Sequence, residues 1–312
     1  MWARTAQVAL TVWVLGGVPP QAPTAPSSPQ TFTARADLVT INVSVRTPNG
    51  QPVTDLSAQD FEVFDAGERT PLEDFRGTPA PVTVAVLFDV SGSMDVGKNL
   101  VRGRATVRQL LGWLTPDRDR VALFAFDTRL EQLQPFTFVP ADVEARLDGL
   151  RPFGQTSLYD ATSETARVLA RQGGDHQAVV VVTDGADTSS RSTPDQVAAV
   201  ARAIEVPVYI IEVVSPLDHP GRDTAVTFGA AAVPHDPLRD LSSVTGGAWF
   251  AVSTPADQSA TAQQIVTDLR QQYQLAFAMS TRAGWHALDV RVHRKNVVVR
   301  ARRGYQAGGH AW

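Results

Sequence analysis

Cysteine is absent from all 312 residues. That excludes disulfides, thiol nucleophiles, thiolate metal centres and a lipid-anchored cysteine. It does not assign a compartment, because exported proteins also do without cysteine. Positive charge is not in excess either: 28 Lys and Arg stand against 32 Asp and Glu, a net charge of −4. A nucleic-acid binder driven by backbone charge is therefore not expected. Apart from Ala6 to Val18, no run is apolar and long enough to suggest a membrane span, and that stretch is too short to cross a bilayer stably. The phosphate loop ending in Gly-Lys-Ser or Gly-Lys-Thr is missing, and so is a Gly-x-Ser-x-Gly nucleophile turn. The six histidines, at 176, 219, 235, 286, 293 and 310, show no metal-ligand spacing.

What remains is an ordinary globular composition, 43% hydrophobic, in a chain long enough for one medium domain and a small one. Arg4 ahead of Ala6 to Val18 has the layout of a secretory signal peptide, expected over residues 1–22. Its cleavage site is poorly specified, since Ala22 and Ala25 each precede proline. An uncleaved anchor and a misassigned start are the alternatives. Residues 23–32 read as a Pro/Ser-rich linker. An extracytoplasmic protein, periplasmic or secreted, is the expectation.

Both ends of the remaining chain read as antiparallel β structure. Residues 37 to 46 alternate, with Val39, Ile41, Val43 and Val45 on one face and Thr40, Asn42, Ser44 and Arg46 on the other. Tyr273 to Met279 and Leu288 to Val292 alternate likewise, and Val297 to Ala301 follows a turn. Neither set makes a stable sheet alone, so the ends are expected to pair into one β-sandwich. Two separate small β units are the alternative. The expected divisions are an N-terminal β segment over 33–78, an α/β domain over 79–255, a C-terminal helix with strands over 256–306, and a tail over 307–312.

Between the ends, apolar strands alternate with helical patterns, which predicts a mostly parallel sheet covered on both faces. Strands are predicted near 82–89, 120–127, 132–138, 177–183, 206–213 and 248–252, with Leu133 to Val139 as an antiparallel edge. Helices are predicted near 97–114, 141–149, 157–172, 194–204, 237–245 and 257–271. Residues 214 to 236 form a long connection on the carboxyl face, either shaping a partner surface or having no role.

The chemistry lies in three segments. The buried run Val82 to Phe88 ends in Asp89-Val90-Ser91-Gly92-Ser93. Asp89, Ser91 and Ser93 sit at alternate positions leaving a strand, at the edge where open α/β sheets bind ligands. Hard oxygen donors without Cys or His favour a small cation such as Mg²⁺. The same residues also suit a polar turn with Ser93 as N-cap of the next helix. Downstream come Gly154-Gln155-Thr156-Ser157-Leu158-Tyr159-Asp160, opening a helix, and the strand Ala178 to Val182, ending in Thr183-Asp184-Gly185.

In this order the three segments resemble the von Willebrand factor type A domain and its metal-ion-dependent adhesion site. The chain as a whole is similar to a bacterial family of von Willebrand factor A-related proteins, known chiefly from acidobacterial genomes. Gly50-Gln51-Pro52-Val53, Asp60-Phe61-Glu62-Val63, Gln272-Tyr273-Gln274-Leu275 and Arg302-Arg303-Gly304-Tyr305 carry that likeness, which covers nearly everything after residue 33. The resemblance implies a Rossmann-like α/β domain, inserted in or flanked by a small β-sandwich built from N- and C-terminal strands. It implies Mg²⁺, with Mn²⁺ or Ca²⁺ as alternatives, held by Asp89, Ser91, Ser93, Thr156 and Asp184. Both serines would ligate directly, Thr156 directly when a partner is bound, and the two aspartates directly or through water.

The implied function is an exported, non-enzymatic adhesion module whose metal takes a Glu or Asp carboxylate from a partner protein. Asp187, Asp218 and His219 are candidate partner-binding residues. Gly92 and Gly185 are expected to let the backbone turn tightly beside the ion. Asp95, Asp160 and Asp187 are either outer tuning groups or solvated acids, and Asp127 is expected to face solvent or a turn. His219 and His235 share the long loop with Asp218, Asp223 and Asp236, a weaker second metal candidate. His286 and His293 read as surface residues, and the basic C-terminal run as an edge guarded by charge. A structural envelope component with a fold-stabilising metal is the first alternative. A Mg²⁺-dependent phosphoryl-transfer enzyme is the second. Haloacid-dehalogenase-type phosphatases want a second Asp two residues after the first, where this chain has Ser91.

Overall fold

The structure is a computed structural model, and it describes residues 37–174, 176–185, 188–190, 206–214 and 237–308. Four strands come first: β1 (Leu38–Arg46), β2 (Phe61–Asp65), β3 (Glu68–Thr70) and β4 (Asp74–Arg76). The α/β block follows as β5 (Val82–Asp89), α1 (Asn99–Gly112), β6 (Arg120–Phe126), β7 (Leu130–Thr137), α2 (Pro140–Leu147) and α3 (Leu158–Ala170). It continues with β8 (His176–Thr183), β9 (Val208–Val213), α4 (Pro237–Thr245), β10 (Trp249–Val252) and α5 (Pro255–Arg270). Four strands close the chain: β11 (Tyr273–Ala278), β12 (Gly284–Val292), β13 (Val298–Arg300) and β14 (Gly304–Ala307). The expected signal peptide, the linker, the 194–204 helix and nearly all of the 214–236 connection lie outside the described residues.

The six strands of the α/β block form one sheet in the order β10-β9-β8-β5-β6-β7. All pairings are parallel except that of β7, the expected antiparallel edge, on β6. Every residue of β5 and β8 is buried, as expected for strands covered on both faces. Val82, Val84, Val86 and Phe88 pack with Val107 and Leu110 of α1 and Ile265 and Leu269 of α5. Ala85 and Leu87 point the other way, with Leu158 and Leu169 of α3 and Leu238 and Leu241 of α4. The period of two in β5 thus splits its apolar residues between two separate cores.

The flanking strands form two four-stranded sheets, β13-β1-β11-β4 and β14-β12-β2-β3. Each mixes strands from both ends of the chain, with Leu38↔Ala278 to Val43↔Tyr273 in the first and Leu288↔Asp65 to Val292↔Phe61 in the second. Val39, Ile41, Val43 and Val45 meet Phe61, Val63, Leu275, Phe277 and Tyr305 in a common core. The ends do pair as a sandwich, with the α/β block between them in sequence.

Three readings are corrected here. The second face of β1 is not solvated throughout, because Ser44 and Arg46 are only 4% and 3% exposed. They cover Asp268 of α5: Ser44 Oγ and Arg46 Nε both donate to its Oδ1, the latter at 2.8 Å. Tyr209 donates to its Oδ2 at 2.7 Å, and Arg300 pairs with the same oxygen. Arg300 therefore does not guard an exposed edge. A carboxylate at the helix end gathers it inward, and Gly246 O accepts its Nε at 3.0 Å.

The third correction is His286, which is buried rather than on the surface. Its Nδ1 lies 2.7 Å from Asp65 Oδ1, its Nε2 lies 2.8 Å from Arg282 O, and its ring stacks on Tyr305 at 5.2 Å. Tyr305 donates to the other Asp65 oxygen at 2.6 Å. His293 is exposed as expected, 3.1 Å from Glu62.

Candidate metal centre

The strand order fixes where a site can form. From β5 the chain crosses through α1 to β6 on one side, while from β8 it continues to β9 on the other. The connections diverge between adjacent strands, which opens a crevice at their carboxyl ends. Asp89 ends β5 and Asp184 follows β8 directly, so the two carboxylates occupy the two lips of that crevice.

Asp89 is fully buried. Its Oδ1 accepts from Ser91 N at 2.8 Å and its Oδ2 from Thr183 Oγ1 at 2.6 Å. Ser91 Oγ lies 3.0 Å from Ser93 Oγ, and Ser93 Oγ donates to Asp184 Oδ1 at 3.0 Å. Four of the five expected ligands thus form one chain of contacts across the crevice. Ser91 is buried, Asp184 half-buried and Ser93 exposed, so the cluster opens to solvent on the Ser93 side.

Thr156 arrives from the neighbouring loop. Phe153 N donates to Val90 O at 2.7 Å and Gly92 N to Gly154 O at 3.0 Å, which lays this loop along the Asp89 turn. Thr156 is 2% exposed. Its N donates to Thr188 Oγ1 at 3.0 Å, and its carbonyl accepts from Thr188 N and Ser189 N. Ser157 N donates to Asp127 O at 2.9 Å. Asp127 does sit in a turn, accepting Arg129 N at 2.8 Å, but it also backs the Thr156 loop. A Cβ on Gly154, whose φ is +78°, would approach its Oδ2 to 3.1 Å.

The two glycine expectations divide. Gly185 has φ +107°, and a Cβ there would come within 2.7 Å of Glu212 Oε1, so this turn requires glycine. Gly92 has no positive φ, and an added Cβ would meet Gly154 O only at 3.4 Å. Its part is a backbone donor rather than a tight turn. Ser93 is not the N-cap of α1 either. A 3-10 segment spans Gly92–Lys98, and α1 begins only after Gly97 (φ 59°) and Lys98 (φ 68°).

Burial pushes the Asp89 carboxyl up to about 6, against the pull of its bonds from Thr183 and Ser91, and the Asp184 charge adds to the rise. Among the described residues, neither carboxylate belongs to an ion pair. Two acids facing each other without a cation, lined by hydroxyls, fit a hard divalent ion. In such a site Asp89, Ser91, Ser93, Thr156 and Asp184 would supply the oxygens.

Thr183 and Glu212 were not assigned roles from the sequence. Thr183 stands in the quoted Thr183-Asp184-Gly185 turn, and its hydroxyl both donates to Asp89 and accepts from Gly185 N at 3.1 Å. Glu212 accepts Trp249 Nε1 at 3.1 Å and carried no local signal. Asp95 is exposed, and Asp160 lies in the first turn of α3. Asp187, Asp218, His219 and His235 lie outside the described residues.

Oxygen donors at the switch point of a mostly parallel, doubly covered sheet define a Rossmann-like α/β binding domain. Residues 84–186 match the von Willebrand factor type A domain, and the protein carries such a domain. A von Willebrand factor type A protein from Catenulispora acidiphila shares the fold. The TM-score is 0.50 at 10% identity, over 89% of this chain and 76% of that one. The conserved hypothetical protein BatB from Bacteroides thetaiotaomicron matches with TM-score 0.46 and 20% identity, over 60% of this chain and 98% of that one. The PilB minor pilin from Streptococcus sanguinis matches with TM-score 0.44 and 17% identity, over 64% and 63%. No curated protein matches the sequence.

Proposed function

We propose that the protein is an exported, non-enzymatic interaction module that holds Mg²⁺ at Asp89, Ser91, Ser93, Thr156 and Asp184 and uses it to bind an acidic residue of a partner protein. The carrying observation is the chain of contacts Asp89–Ser91–Ser93–Asp184 across the switch-point crevice, open at Ser93. Von Willebrand factor A domains are typically interaction modules rather than enzymes, which supports the non-catalytic reading. The bound metal supplies a Lewis-acidic position for an oxygen ligand. Neutral hydroxyls among the ligands leave it electron-poor, so an external carboxylate suits the open position. Export rests on the signal-like N-terminus. Among the described residues, no helix is long and apolar enough to cross a membrane.

Calorimetric titration of Mg²⁺ and Mn²⁺ into the full chain tests this reading. Micromolar-to-millimolar binding, lost in Asp89→Ala and Thr156→Ala, is the expected result. A wild-type chain that takes up neither ion would sink it. A fold-stabilising metal is the second reading. It is favoured by the bonds that tie the 89–93, 153–157 and 183–189 segments together. Under that reading Asp89→Ala lowers stability yet leaves partner binding intact.

A further inference from the structure

We propose that Phe153 and Val96 form an apolar collar beside the site, and that the partner is a polypeptide segment whose Glu or Asp is flanked within a residue or two by an apolar side chain. This rests on the metal-dependent reading above and specifies its partner.

Phe153 is 78% exposed and Val96 68%, the two most exposed large hydrophobics among the described residues. Both belong to the segments that build the site. Phe153 is pinned by its backbone: its N donates to Val90 O between Asp89 and Ser91, and the next carbonyl accepts Gly92 N. Val96 sits at the break between the 3-10 segment and α1, extended at φ −71° and ψ 138°, just before left-handed Gly97. Arg102 bonds the Gly97 carbonyl, and Arg104 holds Leu150 O at 2.6 Å, tying α1 to the base of the Phe153 loop. Val101, 59% exposed, lies on the α1 turn between those two arginines and the break.

Carrying Thr156 does not require a phenylalanine in solvent three residues earlier. Isolated exposed apolar residues are ordinary. Here two lie on loops bonded to each other around a polar, half-buried centre. That arrangement matches a binding hot spot, in which aromatic anchors exclude water around a charged contact. Lys98 and Arg151 are exposed on the same two segments, against one exposed acid there, Asp95. The balance favours an acidic segment approaching the collar. One partner side chain then meets the metal while its neighbour covers Phe153.

The test is panning of phage-displayed random heptapeptides on the full chain in Mg²⁺ with EDTA elution, followed by fluorescence polarisation of the enriched peptide. Enriched sequences are expected to pair Asp or Glu with an adjacent aromatic or large aliphatic residue. Phe153→Ser should weaken the enriched peptide roughly tenfold, the loss expected from uncovering one aromatic contact, and Phe153→Leu should restore most of it. Acidic sequences without apolar neighbours, or Phe153→Ser binding like wild type, would overturn the collar and leave the metal reading standing. Polarisation binding of the enriched peptide that is insensitive both to EDTA and to Thr156→Ala would overturn the metal reading, and the acid-plus-apolar partner with it. A library that yields no EDTA-eluted sequence overturns both.

Discussion

Ser93 donates its hydroxyl to Asp184 at 3.0 Å, across 91 positions of sequence. The contact joins the turn after β5 to the turn after β8. It holds because both turns are set from behind by Asp89, which takes Ser91 N on one oxygen and Thr183 Oγ1 on the other. Asp89 is therefore the hinge point of the cluster, and Thr183 is what orients it.

That makes Thr183→Val a test of geometry rather than of ligands. The residue keeps its shape and its place in β8 but no longer donates to Asp89. Loss of a group that orients a ligand typically weakens metal binding by roughly 10–100-fold. Calorimetric titration of Mg²⁺ into Thr183→Val should show that range. An unchanged affinity would mean that the strand alone positions Asp89.

Asp268 should be the most costly exchange at the contact between the sandwich and the α/β block. It is 3% exposed and serves Arg46, Arg300, Tyr209 and Ser44 together. Asp268→Ala leaves the buried Arg46 and the partly buried Arg300 without their carboxylate, which costs about 3–5 kcal/mol. Denaturant titration should record that loss. Asp289→Ala, which breaks the exposed pair with Arg291, should cost no more than about 1 kcal/mol. Equal losses in the two variants would remove the special standing of Asp268.

Rising pH should act on the sandwich through His286 and Tyr305. The Arg282 carbonyl, and after it Asp65, raise the His286 pKa above its ordinary value. The folded protein thus holds the proton more tightly than the unfolded chain does. Its contribution is complete below about pH 6.5, the unfolded value, and is lost as pH rises through the folded one. Burial and then the bond to Asp65 push Tyr305 up to about 12. Its contribution likewise falls away between about pH 10 and that value. Unfolding free energy measured against pH should begin to decline as pH rises above about 6.5, and His286→Gln should flatten that decline. A steeper decline in the variant would contradict the assignment.

Two glycines should respond in opposite directions. Gly112 closes α1 with nothing within 4 Å of an added Cβ. Gly112→Ala should stabilise by about 0.5–1 kcal/mol, through the unfolded chain's lost freedom. An added Cβ on Gly247 would come within 1.9 Å of Val208 O on the neighbouring strand. Gly247→Ala should destabilise by at least about 1–3 kcal/mol, because backbone cannot step aside as a side chain can. Thermal melts of the pair read both signs, and a stabilised Gly247→Ala would refute the close approach.

The parts of this molecule that could be read from sequence are those governed by short-range pattern. The run Val82 to Phe88, apolar but for Thr83, read as a strand covered on both faces, and the hydroxyls after Asp89 carried their spacing openly. Alternation at both ends of the chain marked Val39, Ile41, Val43 and Val45 as core. Alternation states that a residue faces away from that core, not what it faces instead. Ser44 and Arg46 could for that reason be placed only away from the core, whereas α5 covers them. His286 was misplaced against the alternation of its own strand, since it shares the inward face of Leu288, Val290 and Val292 and is roofed by Tyr305 from β14. The three-residue strands β3 and β4 and the four-residue β14 are too short for any period, and only their neighbours make them strands. Thr183 and Glu212 took their places from strand order, which no local window contains.

β4 and β11 are hydrogen-bonded neighbours, with Asp74↔Ala276, Phe75↔Leu275 and Arg76↔Gln274 in register. The polypeptide therefore passes into the α/β block and out of it through two strands zipped side by side. At that end of the block Ala80 N also bonds Arg270 O at 3.2 Å, whereas Asp89 lies at the far end of β5. Mechanically, the block is a loop hung from a zipper. A pull at the Asp89 edge would reach β4 and β11 in the same direction, so it would load the two strands together rather than peel one from the other.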